Sequence, residues 1–296
     1  MPTVGSRVTY RHWQPGDDEA ILAFLLPVGW IARQVYLDKF SDPLLEAQGI
    51  HLAWQGDRVV GHVMTCRRPV FMEGRMRLLG GIGQMLVEES LRGMGIGRML
   101  VERALDYLTS KRCRAVSLHT NRGLERAMKF YAAAGFRVWV EQVVHVLERR
   151  DSVEKSTIAL RSITPEEAMP VRLAWARSNF PVWCEARAFG SGEGLLGTWE
   201  GDRLVGYLQF NGEQVMQAAF VGEGPERLIN PVIRLAAQRG AASITWHAAL
   251  GGFWDGLLKE FARERKVTGQ VRFLRPLGRD LDLSGQRPSW GTVGTW

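Results

Sequence analysis

Two stretches of the chain, 145 residues apart, carry the same pattern of apolar and polar positions. AWQGDRVVGHV begins at Ala53, TWEGDRLVGYL begins at Thr198, and six of the eleven positions are identical. In both, apolar residues flank a Gly-Asp pair, which is typical of two strands joined by a tight turn. The pattern therefore predicts one β-hairpin in each half of the chain, built in the same way.

The elements predicted around the two hairpins also repeat. A strand and a helix precede each hairpin, and a strand, a helix, a strand and a helix follow it. The helix before the second hairpin has a clear start, because Thr164 can cap it, Pro165 suits its first position and Glu167 completes a capping box. We expect an α/β fold of two tandem domains, residues 1–150 and 151–296, each a twisted mixed sheet flanked by helices.

The stretch LRGMGIGRML, residues 91–100, lies where a predicted apolar strand gives way to an amphipathic helix. The first turn of a helix leaves backbone N–H groups unpaired and carries partial positive charge. Gly93, Gly95 and Gly97 let the backbone approach a ligand closely, and Arg92 offers a donor fork suited to phosphate. The loop is predicted to bind an anion, with an ordinary glycine-rich turn as the alternative. Neither a Walker loop nor the dinucleotide fingerprint has this spacing.

A tyrosine on a later helix is the second candidate functional feature. Tyr131 lies 34 residues after Gly97 and shares a helical face with Ala127. Gly135 suits the left-handed end of that helix. A core tyrosine on an amphipathic helix is the alternative to a functional one.

Five motifs follow one another between about residues 78 and 140: MLVEE, RGMGIG, MLVERALDYLTSK, AVSLHT, and Ala127 to Tyr131 ahead of Gly135-Phe136. In this order they resemble the GCN5-related N-acetyltransferase (GNAT) superfamily. Its pattern is a strand, an Arg/Gln-x-x-Gly-x-Gly/Ala loop, a helix, a strand, and a helix carrying Ala-x-x-x-Tyr before Gly-Phe. The tandem arrangement is similar to that of mycothiol synthase and of the first two domains of the enhanced-intracellular-survival acetyltransferases.

The resemblance implies an acyltransferase that uses acetyl-CoA as its co-substrate. The strand backbone at Leu86 and Val87 would pair with the pantetheine arm and orient the acetyl carbonyl. Tyr131 would protonate the departing CoA thiolate. The pyrophosphate would be held by the loop residues Arg92, Gly93, Met94, Gly95, Ile96 and Gly97.

The chain departs from the family pattern ahead of the tyrosine. Many members have Asn seven residues before it, where this chain has Leu124. Asn121 lies three residues earlier and either contacts the cofactor or caps the helix. The sequence also leaves open which group deprotonates the amine. Glu88 is the candidate we carry forward, and Glu89, His119 and a chain of water molecules are alternatives.

The second half lacks the cofactor motif. FVGEGPERLINP stands where the first half has EESLRGMGIG, and no hydroxyl residue lies near Leu257 and Leu258, where the tyrosine would recur. The second domain is therefore expected to fold like the first without a cofactor site. Its expected roles are packing on the first domain, shaping a substrate groove or forming a homodimer.

Composition narrows the classes of ligand, partner and location that the protein can have. Of the 296 residues 46% are hydrophobic, and the three cysteines show no metal-ligand spacing. The net charge of +7 comes from dispersed arginines without a long basic block, which disfavours a nucleic-acid partner. No apolar run is long enough for a membrane span, and the first residues lack the apolar core of a signal peptide. We expect a cytoplasmic protein that binds no metal, nucleic acid or membrane.

The expected function is transfer of an acetyl group to a primary amine by direct attack, without a covalent enzyme intermediate. The acceptor would be a small molecule, a peptide or a protein. The main alternative is a module that senses acyl-CoA, or serves as an interaction surface, without turnover. A nucleic-acid binder is a second alternative, motivated by the positive charge.

Overall fold

The computed structural model describes residues 7–29, 32–38, 45–148, 156–190, 192, 194–278 and 281–290. The helices are α1 Asp18–Leu25, α2 Arg33–Asp38, α3 Ile96–Ser110, α4 Glu125–Ala133, α5 Pro165–Ala176, α6 Ile229–Gln238 and α7 Phe253–Leu258. The strands of the first half are β1 Thr9–His12, β2 Ile50–Gln55, β3 Arg58–Met72, β4 Arg75–Val87, β5 Ala115–Asn121 and β6 Arg137–Glu148. Those of the second half are β7 Ile158–Ser162, β8 Asn179–Phe180, β9 Leu195–Glu200, β10 Arg203–Asn211, β11 Gln214–Phe220, β12 Ser243–Ala249, β13 Glu264–Pro276 and β14 Arg287–Pro288.

Local sequence signals account for most of these elements. Both predicted hairpins form, β2–β3 and β9–β10, and their turns place Gly56 and Gly201 at φ of 63° and 60°. The capping box at the start of α5 is present, because Thr164 accepts from the N–H of Glu167 and the Glu167 carboxylate accepts from the N–H of Thr164. Gly135 follows α4 with φ of 82°, as a left-handed helix end requires.

The sheet exchanges strands between the two halves of the chain. Twelve strands of the described residues form one sheet in the order β1-β2-β3-β4-β5-β13-β6-β12-β11-β10-β9-β7. The first-half strand β6 thus lies between β13 and β12, and the second-half strand β13 lies between β5 and β6. Mixed α/β architecture is confirmed. The boundary between residues 150 and 151 stays a prediction, since residues 149–155 lie outside the described part.

Helices cover different parts of the two sheet faces. α3 and α4 pack on β3, β4, β5 and β13 around Leu100, Ala104 and Val116, whereas α1 packs around Leu22 on β2 and β3. Near the middle of the sheet both halves supply one cluster of buried side chains: Val70, Met72, Leu79, Ala115, Phe180, Trp183 and Leu274. The two halves are therefore joined by a shared core as well as by exchanged strands.

None of the described helices is both long and apolar enough to cross a lipid bilayer. Within the same residues, no group of three or more His, Cys, Asp or Glu side chains is arranged to hold a metal ion.

Candidate functional site

The site begins at a bulge in β4. Between His62 and Met64 of β3 the pairing register with β4 shifts, and Gln84 takes a φ of 50°, which is unusual for a residue with a side chain. The Gln84 carbonyl oxygen lies 2.9 Å from Nδ1 of His62, which fixes this bulge against β3. A bulge adds a residue and bends its strand. The last residues of β4 are redirected as a result.

β4 and β5 separate beyond this point. Their parallel pairing covers only Leu79–Gly81 of β4 against Ala115–Ser117 of β5. The following residues of β4, up to Val87, have no ladder partner on β5. An open edge of this kind leaves backbone N–H and C=O groups for a ligand to pair with.

The glycine loop connects the end of β4 to the start of α3. Gly93 and Gly95 have φ of 93° and 83°, and Gly95 is the residue before the first helical position. No side chain caps this helix start, so the N–H groups of its first turn remain available to an anion. Arg92 is held beside the loop, because its Nε donates to the Val87 carbonyl oxygen at 3.1 Å. The loop thus combines backbone donors with a guanidinium group.

A cleft of about 620 Å³ lies between this loop, the end of β4 and helix α4. It brings together most of the residues singled out from the sequence: Leu86, Val87, Arg92, Gly93, Gly95, Gly97 and Tyr131. Ala127 of the Ala-x-x-x-Tyr motif and Leu124, which stands at the family's Asn position, also line it. The other lining residues were not singled out from the sequence: Met85, Leu91, Arg98, Glu125, Arg126 and Phe130.

Four of the predicted site residues do not line this cleft: Met94, Ile96, Asn121 and Glu88. The side chain of Ile96, the first residue of α3, is buried in the core, and the Met94 side chain is exposed. Asn121 accepts from the N–H of Gly123 at 2.8 Å and so stabilises the turn before α4. It is not the capping residue of that helix, a position taken by Leu124 without a side-chain bond.

Tyr131 projects from α4 into the apolar core at the base of the cleft. Its ring contacts Phe130, Phe136 and Phe273 at centroid distances of 5.2, 6.0 and 6.0 Å. Phe273 belongs to β13, so the second half of the chain supplies one wall around this tyrosine. Burial raises the pKa of Tyr131 to about 12. The phenol is therefore protonated at neutral pH.

Glu88 lies just outside this cleft, in an adjoining groove of about 670 Å³. The groove shares Leu86, Val87 and Arg92 with the cleft and has the apolar side of α1 as its opposite wall. The Glu88 carboxylate is 2.6 Å from Nη2 of Arg58 and accepts from the Ser90 hydroxyl at 2.9 Å. The Glu88 carboxylate is thus bound by Arg58 and Ser90, in the groove that adjoins the cleft.

His119, the alternative base, is already engaged. Nε of Arg272 donates to its Nε2 at 2.6 Å, and its ring stacks on Trp290. Burial and the adjacent Arg272 guanidinium hold the pKa of His119 well below its ordinary value. A proton added to this imidazole would lie against an existing cation, so His119 is poorly suited to act as a base.

The corresponding loop of the second half has a different structure. Gly224 keeps a left-handed φ of 65°, but a short 3₁₀ turn from Pro225 to Leu228 separates it from α6. The space beside Gly224 is occupied by Glu226 and Arg227, at 2.9 and 3.0 Å from an added Cβ. On α7, Leu258 is fully buried in the core. The loop before α6 is therefore not open in the way that the loop before α3 is, and α7 carries no hydroxyl residue.

Comparison with known proteins agrees with this geometry. The Acetyltransferase (GNAT) family model matches residues 19–136. The structure is similar to GCN5-related N-acetyltransferases from Kribbella flavida (17% identity, TM-score 0.71, 91% of this chain and 71% of that one) and Sphaerobacter thermophilus (17%, 0.62, 95% and 99%). It also resembles a GCN5-related glucosamine N-acetyltransferase region of a fungal multi-domain GH3 β-N-acetylglucosaminidase (15%, 0.64, 92% and 38%).

No curated protein sequence matches the chain. At these identities the solved structures establish the fold, and the family model identifies the segment that contains the cleft. Residues 19–136 are therefore similar to the Acetyltransferase (GNAT) family, within a structure that has the fold of GCN5-related N-acetyltransferases.

Proposed function

We propose that the protein transfers the acetyl group of acetyl-CoA to a primary amine by direct attack. The observation that carries this proposal is the cleft at the start of α3. There an uncapped helix N-terminus, the open edge of β4 and the hydroxyl of Tyr131 surround one cavity. A ligand with an anionic end, an amide-containing arm and a thioester matches these three features in order.

The pyrophosphate would bind the N–H groups of residues 93–97 and the Arg92 guanidinium. Met94 and Ile96 would contribute through their backbone, since one side chain is exposed and the other buried. The nucleotide end has room beyond this loop, because a second cavity of about 530 Å³ shares Arg98 and Phe130 with the cleft. Asn121 would have no direct part in binding, as its side chain is used by the turn.

The pantetheine arm would pair with the backbone of Leu86 and Val87 where β4 has no partner from β5. Such pairing resembles the addition of a strand to a sheet edge. It would place the acetyl carbonyl between the cleft and the adjoining groove. The amine would approach from the groove, whose lining includes Glu88.

In the chemical step the amine nitrogen attacks the thioester carbon and the C–S bond breaks. Tyr131 would stabilise the departing thiolate as a hydrogen-bond donor. Its pKa of about 12 lies above that of an ordinary thiol, so complete proton transfer from it is uphill. The proton lost by the amine would finally restore the thiol. Glu88 would accept that proton first, with a chain of water molecules as the alternative.

The acceptor would be an amine of a small molecule, a peptide or a protein. One similar structure is a glucosamine N-acetyltransferase region, whose acceptor is of the small-molecule class. The second half, whose loop before α6 is filled by Glu226 and Arg227, would act as a degenerate GNAT-like domain in a tandem arrangement similar to that of mycothiol synthase. Its strand β13 helps to build the Tyr131 environment. A cytoplasmic location and a homodimer also remain part of the proposal.

The test is calorimetric titration of the full chain with acetyl-CoA, followed by a thiol-release assay with a panel of amines. We expect one binding site per chain and release of CoA that depends on an amine. Two sites would contradict the degenerate second domain. Binding without turnover by any amine would favour an acyl-CoA sensor, and absence of binding would refute the proposal.

A further inference from the structure

A buried arginine lies in the core of the second half, away from the cleft. Arg172 of α5 is 2% exposed. Its Nε donates to the Trp183 carbonyl oxygen, and its Nη1 donates to Oε1 of Gln217 at 3.1 Å. The guanidinium carbon lies 4.3 Å from the centre of the Phe189 ring. Its neighbours are thus two neutral oxygens and an aromatic face.

The charge of Arg172 has no anionic partner among the residues described. The ion pairs of those residues include none that involves Arg172. The nearby carboxylate of Glu185 pairs instead with Arg68 and Arg187. Burying a charge is costly unless an opposite charge or strong hydrogen bonds compensate it. The site therefore has a deficit of one negative charge.

A small cavity adjoins this guanidinium. Its volume is about 20 Å³, which is room for one water molecule. Its walls are mostly aromatic and apolar, and two of its residues, Ser289 and Trp290, come from the C-terminal segment. The remaining lining residues are Arg172, Trp175, Pro181, Val182, Trp183, Tyr207, Gln217 and Ala218.

The wall formed by Ser289 and Trp290 directly follows the two-residue strand β14. Among the described residues, β14 pairs with β8, and the N–H groups of Arg287 and Ser289 donate to the carbonyl oxygens of Ser178 and Phe180 at 2.9 and 2.8 Å. Nη1 of Arg272 also donates to the Ser289 carbonyl oxygen, at 3.4 Å. The Trp290 ring stacks on His119 at 5.4 Å and lies 5.3 Å from the Arg272 guanidinium carbon. A two-residue strand with few ladder bonds opens at lower free energy than the long strands of the core. Movement of the Trp290 indole would enlarge the cavity and leave Arg172 accessible.

We propose that the pocket around Arg172 binds an organic carboxylate with an aromatic or apolar body when the segment at Ser289–Trp290 moves aside. One uncompensated cation matches a monoanion, and the planar guanidinium fork matches a carboxylate. The aromatic rings of Trp175, Trp183 and Tyr207 match an apolar body. This site is separate from the acetyl-CoA cleft and does not depend on the proposed acetyl transfer.

The same indole couples the pocket to the first half of the chain. Trp290 contacts His119 on β5, the strand that diverges from β4 at the cleft. A ligand that displaces Trp290 would remove this stacking partner. Binding at the pocket would therefore change the surroundings of a strand next to the cleft.

The experiment uses benzoate and benzamide as probes of equal shape and different charge. They are titrated calorimetrically into the wild-type chain, into Trp290→Ala, and into Trp199→Ala as a control that removes a tryptophan from β9, away from the pocket. We expect Trp290→Ala to bind benzoate more tightly than wild type and Trp199→Ala do. We also expect a preference for benzoate over benzamide of about tenfold or more, because the bond to the guanidinium is charge-assisted.

Other results would overturn the proposal. Equal affinity for benzoate and benzamide in Trp290→Ala would show that Arg172 is not the recognition element. Inorganic phosphate binding more tightly than benzoate would refute the carboxylate assignment. Absence of benzoate binding to the wild-type chain would mean that the pocket exists only in the variant. The double variant Arg172→Met with Trp290→Ala should lose the preference for benzoate over benzamide. If the double variant does not fold, the comparison of benzoate with benzamide in Trp290→Ala still tests the proposal.

Discussion

Gly95 offers the sharpest test of the phosphate-binding loop. It has a φ of +83°, and a Cβ added there would meet no heavy atom within 4 Å. A valine at this position would therefore project into the open cleft. The left-handed conformation costs an L-residue about 1–2 kcal/mol, so Gly95→Val should lower the free energy of unfolding by that amount.

The loss of ligand binding should be larger than this strain implies. A hydrogen bond to a charged group is worth about 1.5–3 kcal/mol. Loss of one such bond to the pyrophosphate would weaken acetyl-CoA binding by about 10- to 150-fold. The protein also contains a matched control. Gly240, after α6, has a φ of +75° and equally open surroundings, but it lies in the second half.

Both variants are measured by urea unfolding and by calorimetric titration with acetyl-CoA. We expect similar losses of unfolding free energy from Gly95→Val and Gly240→Val. Only Gly95→Val should lose affinity for acetyl-CoA. If Gly95→Val binds acetyl-CoA as tightly as Gly240→Val does, the loop does not hold the pyrophosphate and the reasoning is wrong.

Three further predictions follow from the packing and the charges. Tyr131→Phe should keep acetyl-CoA affinity and lower turnover about 10²-fold or more in steady-state assays, because it removes a hydrogen-bond donor to the developing thiolate; an unchanged rate would remove the phenol from the reaction. Phe273→Ala should lower the free energy of unfolding by about 3–5 kcal/mol and also reduce turnover through the Tyr131 ring, whereas the core control Phe220→Ala should affect stability alone. Asp17 accepts two hydrogen bonds from Arg11, at 2.6 and 2.7 Å, and these hold its pKa below the ordinary value. Asp17→Asn should therefore lower the free energy of unfolding by about 1–3 kcal/mol at neutral pH. The difference from wild type should shrink as pH falls below about 4, which urea unfolding at several pH values would measure.

The sign of this last effect follows from the direction of the pKa shift. A carboxyl group whose pKa is depressed by folding stabilises the protein above its unfolded pKa. That contribution is lost as pH falls through the depressed value, when the carboxylate is protonated. A constant difference between wild type and Asp17→Asn from pH 7 to pH 2 would contradict the assignment.

Elements with local causes could be predicted from the sequence. The hairpin turns at Gly56 and Gly201 need a positive φ, and the capping box at Thr164 involves residues only three positions apart. The glycine loop before α3 and the helix end at Gly135 have equally short-range origins. In each case the residues that make the contact are neighbours along the chain, so their spacing specifies the geometry.

The candidate site was predictable only in part. Motif spacing singled out Arg92, the loop glycines and Tyr131, which do line one cleft. The sequence could not show that the Asn121 side chain is used by a turn or that His119 accepts from Arg272, 153 residues away. Those contacts depend on which strands become neighbours in the sheet.

The sequence by itself determined the local elements, their repeated order and the glycine loop that marks the first half. Only the tertiary structure decided the place of β13 between β5 and β6, and with it the contact of Phe273 with Tyr131. It also decided that Arg172 is buried without an anionic partner among the described residues. The physical reason is that an alternating strand pattern specifies which side chains face the core and leaves open which strand lies alongside. Strand neighbours are selected by packing of the whole chain, and the lining of both pockets depends on that selection.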